Sequence, residues 1–301
     1  MKIVVMKFGG TSVADVDRIK KVAKTVIKQQ KTSKIVVVLS AMAGVTNDLQ
    51  AYIDEIGFYP SKETDLIMTS GEQVTVGLLS MILNKQGIKS LPILGWQIPI
   101  ITDENYEKGR ILNIEDEHIL NQFKHYDVIV LAGFQGISTK GSVTSLGRGG
   151  SDTTAVAIAA SLKADRCDIY TDVEGVYTTD PNKLNKAKKI KSISYEEMLE
   201  MASLGAKVMQ PISIQDARLN RIDIEVKSSF IKRPGTLITK RSNIINNKII
   251  TGITSTHNDS KVTLVGVKDK PGVAAKIFKP LSRNSINVDM VVQNISSNGN
   301  E

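Results

Sequence analysis

The sequence predicts an α/β protein with a mostly parallel sheet sandwiched by helices, followed by an incomplete α+β segment. Three observations predict this. Short β-branched runs recur along the first 240 residues, helical patterns separate them, and a polar stretch near residues 240–249 precedes a different arrangement. Strands buried on both faces of a parallel sheet read as near-continuous apolar runs. "KIVVM", "KIVVVLS", "SLPIL", "DVIVLAGF", "CDIYTD" and "IDIEVKSS" have that form.

Between the first two runs, Val13, Val16, Ile19, Val22, Ala23, Val26 and Ile27 share one face of an amphipathic helix. Ser12 and Asp15 read as a capping box ahead of it. "TTAVAIAASLKA" predicts a helix apolar on most sides, hence buried, starting near Ser151 or Asp152. Such alternation of strand and helix places helices on both faces of the sheet. "IKRPGTLITKRSNIINNK" carries a Pro-Gly turn and Asn-Asn, a linker signature. Beyond it, "KVTLVGVKDKPGVAAKIFKPLSRNSINVDMVVQNIS" predicts strand, turn, helix and strand, too few elements to bury a sheet. The expected domains are residues 1–240 and 241–301.

Composition narrows the function classes. The 301 residues are 41% hydrophobic and 23% charged, ordinary for a globular chain with a sizeable core. No run of 18 apolar residues occurs, and the apolar stretch Ile3–Met6 is too short for a signal peptide. Cys167 is the single cysteine, so no internal disulfide forms and a reducing compartment fits. A cytoplasmic protein without membrane partners is the expectation. The net charge of +8 raises nucleic acid, but aromatic residues are only 5% and no zinc spacing or RNA-binding motif accompanies it. Lys183, Lys186, Lys188, Lys189 and Lys191 read as a solvated face, or else as a field steering an anionic ligand. His118, His125 and His257 are scattered, which argues against a metal cage; no metal ligands are assigned.

Several polar clusters carry chemistry. "KFGGTSV" follows a strand and enters a helix, as a phosphate-binding turn does, with Lys7 adding a full charge; it is neither the Walker nor the dinucleotide pattern. In "TSLGRGGSDTTA", Arg148 sits among Gly147, Gly149 and Gly150, placed to fork onto a carboxylate or phosphate, or else simply exposed on a loop. Asp152 reads as a helix cap or as a carboxylate holding nearby lysines. "YTDVEGVYTTDP" supplies Thr171, Asp172, Tyr177 and Asp180 at a strand end, able to grip a sugar or base edge. "SLGAKVM" offers Lys207 as a second cation. Ser40, Thr46 and Glu72 could hold a small zwitterion, Glu72 facing its ammonium. No Ser–His–Asp pattern suggests hydrolysis.

Taken in order, "KFGGTSVAD", "SAMAGVTN", "SGEQ", "GFQG", "LGRGGSDTTA", "YTDVEGVYTTDP", "ASLGAKVM", "SSF…PGTLIT" and "KVTLVGVKDKPGVAAKIF" closely resemble the aspartate kinases of the amino-acid kinase superfamily. The resemblance covers essentially the whole chain. It implies the amino-acid kinase fold and transfer of the ATP γ-phosphoryl to the β-carboxylate of L-aspartate. The product, 4-phospho-L-aspartate, feeds lysine, threonine, methionine and diaminopimelate synthesis. Lys7, Asp152 and Lys207 would be catalytic; Ser40, Thr46, Glu72 and Arg148 would bind aspartate. Lys7, Phe8, Gly9, Gly10, Thr171, Asp172, Tyr177, Asp180, Lys207 and Val208 would bind ATP, with Mg²⁺ arriving on the nucleotide. The full-length family implies a homo-oligomer.

The last segment resembles the first half of an ACT domain, the family's amino-acid-sensing module, which implies weak or absent feedback inhibition and an exposed sheet edge. One departure stands out: the family commonly continues "ASLGAKVM" with His-Pro-Arg, whereas Gln210-Pro211-Ile212 stand here. The rival readings are a kinase of glutamate, acetylglutamate, carbamate or UMP, and a non-catalytic amino-acid-binding protein.

Overall fold

The computed structural model describes residues 2–57, 59–206, 208–240, 250–255, 260, 262–267, 270–284, 286, 288, 291 and 292. The chain divides into two compact units, Met1–Ser255 and Thr256–Glu301.

In the first unit the six apolar runs become strands of one eight-stranded sheet, completed by Ser192–Ser194 and Thr236–Thr239, segments not read as strands. Numbering all strands in chain order, these are β1 (Ile3–Phe8), β2 (Lys34–Leu39), β3 (Ser90–Ile93), β6 (Val128–Ala132), β9 (Arg166–Thr171), β10 (Ser192–Ser194), β11 (Ile224–Ser228) and β12 (Thr236–Thr239). The spatial order is β10-β12-β11-β9-β1-β2-β6-β3. Every neighbouring pair is parallel except β11 with β12.

The two-residue period of a strand splits the runs between two cores. Val4, Met6, Phe8, Ile35, Val37 and Leu39 face one side, against α1 (Val16–Gln30) and α4 (Gly71–Lys85). Val5, Val36, Val38, Ile129 and Leu131 face the other, against α6 (Gly150–Ser161), α7 (Tyr195–Ser203) and α8 (Pro211–Asn220). Each such fully buried Val, Ile or Leu contributes about 1.5–3 kcal/mol, so the central strands are where the fold is anchored. Small residues let α6 lie sandwiched: Ala155, Val156, Ile158 and Ala159 are buried. It starts at Gly150, slightly earlier than predicted.

The expected capping box at Ser12 is not formed. Gly10–Val13 is a 3-10 turn, and Asp15 itself caps α1 by accepting from the Arg18 N–H at 2.7 Å. Ser12 is withdrawn from capping because its hydroxyl shares a 2.6 Å hydrogen bond with that of Ser229.

A second sheet, which the sequence did not predict, joins β5 (Ile111–Ile114), β4 (Ile100–Thr102), β7 (Gln135–Ser138) and β8 (Val143–Ser145) in that order. Strands of three or four residues are too short to carry a readable alternation. α3 (Lys62–Met68) packs on β8 and α2 (Val45–Ile56) on α3, while α5 (Asp116–Gln122) gives Ile119 to the core. The 24-residue helical stretch Lys62–Lys85 is long and apolar enough to cross a membrane. It is nevertheless interrupted at Thr69–Ser70 and gives Val76, Leu79 and Leu83 to the core, as a core helix does.

In the second unit, α9 (Val273–Arg283) follows Gly272, whose φ of +89° fits the turn expected ahead of the helix. The strand expected ahead of it is not formed among the described residues 262–267. The linker at 241–249 and most of the final strand lie outside the described residues.

Candidate active site

Chain order from β1 proceeds to β2 on one side and reaches β9 on the other. That reversal opens a crevice beyond the carboxyl ends of β1 and β9, the place where open α/β sheets bind ligands. The polar segments read from the sequence emerge along this rim: Gly9 after β1, Ser40 after β2, Gly133 after β6, Asp172 after β9 and Ser229 after β11.

Lys7 has the parity of Val5 and therefore faces α6. Its Nζ lies 2.6 Å from Oδ1 of Asp152, with both side chains about a tenth exposed. The contact is off line for a hydrogen bond, so Oδ1 has no aligned donor among the described residues. Asp152 therefore does not cap its helix; Gly149 occupies that position, and no side chain caps it. The reading of Asp152 as a carboxylate that holds a lysine is the one this geometry supports.

The first glycine turn is bound back to the sheet. Gly9 donates its N–H to Tyr170 O at 3.2 Å, and Ser12 N–H donates to Gly9 O at 2.9 Å. Phe8 does not reach the crevice with its ring, which is buried and stacked on Tyr170 at 4.5 Å. Its carbonyl accepts from Ser40 N–H at 3.2 Å. Phe8 thus shapes the turn from below, through its ring and its carbonyl.

Ser40 lies next to Ala41, whose N–H donates to Glu72 Oε1 at 3.1 Å. Glu72 is buried, its second oxygen has no hydrogen-bond partner among the described residues, and burial pushes its carboxyl up to about 7. A carboxylate held this way is ready for a cation from outside the chain. Thr46 stands half-buried in the first turn of α2.

Arg148 is exposed and makes no ion pair or hydrogen bond within the described residues. Its flanking glycines hold it in a forced loop. Gly147 and Gly149 have φ of +70° and +74°, and a Cβ on Gly147 would lie 2.8 Å from Glu107 O. A Cβ on Gly149 would collide with the side chain of Gln210. The residue standing where the family pattern has histidine therefore packs directly on the arginine loop, whereas Ile212 is exposed.

Among the residues read as a nucleotide pocket, Thr171 donates its hydroxyl to Asp172 Oδ1 at 3.1 Å, and its carbonyl accepts from Ser229 N–H at 2.9 Å. Tyr177 is half-buried and its backbone bridges Lys189. Asp180 spends its carboxylate locally, accepting from Asn182 N–H at 2.9 Å, so it shapes the loop. Val208 packs against the core, and Lys207 lies outside the described residues.

Sequence reasoning missed Tyr170, which supports the first turn by ring and carbonyl, and Phe134, held at φ +68° beside Gly150. Only the position of Phe134 within "GFQG" signalled it. Among the described residues, no three His, Cys, Asp or Glu side chains converge as metal donors.

Residues 2–228 match the amino acid kinase family and residues 262–298 match an ACT domain. The chain is 48% identical to the aspartate kinase of Pseudomonas putida over 299 residues, 98% of this chain and 73% of that relative. It is 45% identical to an aspartokinase of Bacillus sp. strain MGA3 over 295 residues, 97% of this chain and 72% of that one. Among solved structures, E. coli aspartokinase III in complex with aspartate and ADP (R-state) superposes with a TM-score of 0.77 at 28% identity. That match covers 97% of this chain and 77% of the other.

Proposed function

This chain belongs to the amino acid kinase family, and from that premise we infer the reaction its crevice performs. It is an aspartate kinase, an ATP-dependent phosphotransferase acting on the β-carboxylate of L-aspartate. The observation that supports the site assignment is the Lys7–Asp152 pair at 2.6 Å at the carboxyl end of β1, Asp152 standing four residues after Arg148, which has no partner among the described residues.

In this reading Arg148 forks onto the substrate α-carboxylate, and Glu72 takes the ammonium. Ser40 and Thr46 hold the rest of the molecule, so the β-carboxylate points at the γ-phosphorus. One β-carboxylate oxygen bonds to that phosphorus as the bond to the β,γ-bridging oxygen breaks, and ADP leaves with the electron pair. The aspartate side chain is already ionised near neutrality, so no base has to remove a proton. Catalysis is then positioning and charge neutralisation. Lys7 supplies the charge, and Asp152 keeps its ammonium over the turn. Because the Gly9 amide is engaged with Tyr170, Gly10 at the start of the 3-10 turn offers the free amide.

Thr171, Asp172 and Tyr177 line the nucleotide side, with Lys207 as the second cation. Mg²⁺ enters bound to the triphosphate as part of the substrate. We place the product, 4-phospho-L-aspartate, at the head of lysine, threonine, methionine and diaminopimelate synthesis, in the cytoplasm, with the chain working as a homo-oligomer.

Incubation with MgATP, hydroxylamine and each of L-aspartate, L-glutamate, acetylglutamate, carbamate and UMP tests this. Aspartyl hydroxamate should form, with no turnover of the other acceptors. Turnover of another acceptor in preference to aspartate would overturn the assignment.

A further inference from the structure

Asp65, in α3, was not singled out by sequence and belongs to none of the groups placed against substrate. It is fully buried. Its Oδ2 accepts from Ser145 N–H at 2.7 Å, and its Oδ1 accepts from the Ser145 hydroxyl at 2.7 Å and from Glu107 N–H at 2.9 Å. Burial raises its carboxyl above the ordinary range, while these donors pull the other way.

All three donors belong to segments that carry the arginine loop. Ser145 ends β8, three residues before Arg148, and its carbonyl accepts from Gly109 N–H at 2.8 Å. Glu107, held at φ +63°, presents the carbonyl against which Gly147 packs. On its own side, Asp65 lies seven residues before Glu72 along α3 and the start of α4, a rise of roughly 10 Å if helical throughout. The Asp65 carbonyl further accepts from the Thr69 hydroxyl at 2.7 Å, at the break between the two helices.

The seat of α3 is polar. Its buried residues are Thr64 and Asp65, whereas Leu66 is exposed. A seven-residue helix with so little apolar burial is located by its hydrogen bonds. A buried carboxylate is costly in that role unless it is fully satisfied, and satisfied it makes a rigid link between α3 and β8.

We propose that Asp65 is a positioning residue for the amino-acid substrate, setting the separation between Glu72 at the ammonium end and Arg148 at the carboxylate end. The inference rests on the assignment of those two residues to aspartate. Asparagine at position 65 would keep one acceptor and turn an NH₂ towards a donor, loosening the link without removing bulk.

Steady-state kinetics of Asp65→Asn, Arg148→Ala and the double variant test it. Asp65→Asn should raise the KM for aspartate about tenfold and leave that for ATP within about twofold. In the Arg148→Ala background the same change should add less than about twofold, because residues acting as a unit are not additive. If Asp65→Asn does not fold, Ser145→Ala keeps the backbone donor and should raise the aspartate KM about threefold with the ATP KM unchanged. A merely structural role would lower the active fraction and move neither KM. Unchanged aspartate KM in the variants at 65 or 145, or a full tenfold effect persisting without Arg148, would overturn the inference. Unchanged aspartate KM in Arg148→Ala alone would instead reject the substrate assignment beneath it.

Discussion

Gly9 sits at φ −72° with room for a Cβ, whose nearest neighbours would be Lys7 Nζ at 3.6 Å and Tyr170 O at 3.7 Å. Gly149 sits at φ +74°, where a Cβ would strike Gln210. Both belong to glycine turns on the rim of one crevice, yet of these two positions the fold requires glycine only at Gly149. At Gly9 the missing side chain leaves space beside an ammonium held by Asp152. One turn is shaped for what binds; the other is shaped so that Arg148 can be presented at all. Sequence patterns show two similar glycine clusters, and only packing separates their reasons.

The sharpest way to break the comparison is to remove the charge from the first turn. Lys7→Ala should lower kcat about 10³-fold, since the transferring phosphoryl loses its cation and faces the Asp152 carboxylate, which that cation now balances. Circular dichroism should show the fold retained. Comparable turnover in the variant would place the reacting phosphate elsewhere.

Next in size is Gly149→Ala. It should destabilise the first unit by about 2 kcal/mol in urea unfolding, from the left-handed backbone and the collision with Gln210. Gly9→Ala is the matched control, expected within about 0.5 kcal/mol of the parent in stability while raising the KM for ATP. Equal destabilisation by both would erase the distinction between the turns.

Glu72 extends the contrast to pH. Its carboxyl is raised from 4.5 to about 7 by burial. The folded chain therefore holds a proton that the unfolded chain releases, and stability from this group declines as pH rises from about 4.5 to about 7. Aspartate binding needs the ionised form. The KM for aspartate should therefore rise up to about tenfold per pH unit below about 7, and Glu72→Gln should flatten that profile. A flat profile in the parent would remove Glu72 from the ammonium end.

Much of the larger sheet was legible because its strands are long enough to show their burial. "KIVVVLS" and "DVIVLAGF" could hardly be anything else. The small sheet was not, since "IIT" and "VTS" are three residues each and become strands only through partners far along the chain. Asp168 was misread for a related reason. It lies in a run taken as apolar on both faces, yet it is buried with Arg166 and Lys227 as ion-pair partners. Nothing local foretold that Lys227, from another strand, would meet it. Asp65 shows the same limit, its donors lying some 40 and 80 residues away.

By itself, then, the sequence determined the elements whose free energy is local or repetitive: the apolar strands, the buried helix α6, and the glycine turns with their cations. Motif order added the family and with it the chemistry. Tertiary structure alone decided which polar groups are paired, which are left free, and how far apart they stand. A hydrogen bond or ion pair depends on distances of a few tenths of an ångström between residues whose separation along the chain carries no record of it. Lys7 reads as a cation in any alignment of letters; only the folded chain shows that Asp152 restrains it and that Arg148, four residues beyond, is left open for a substrate.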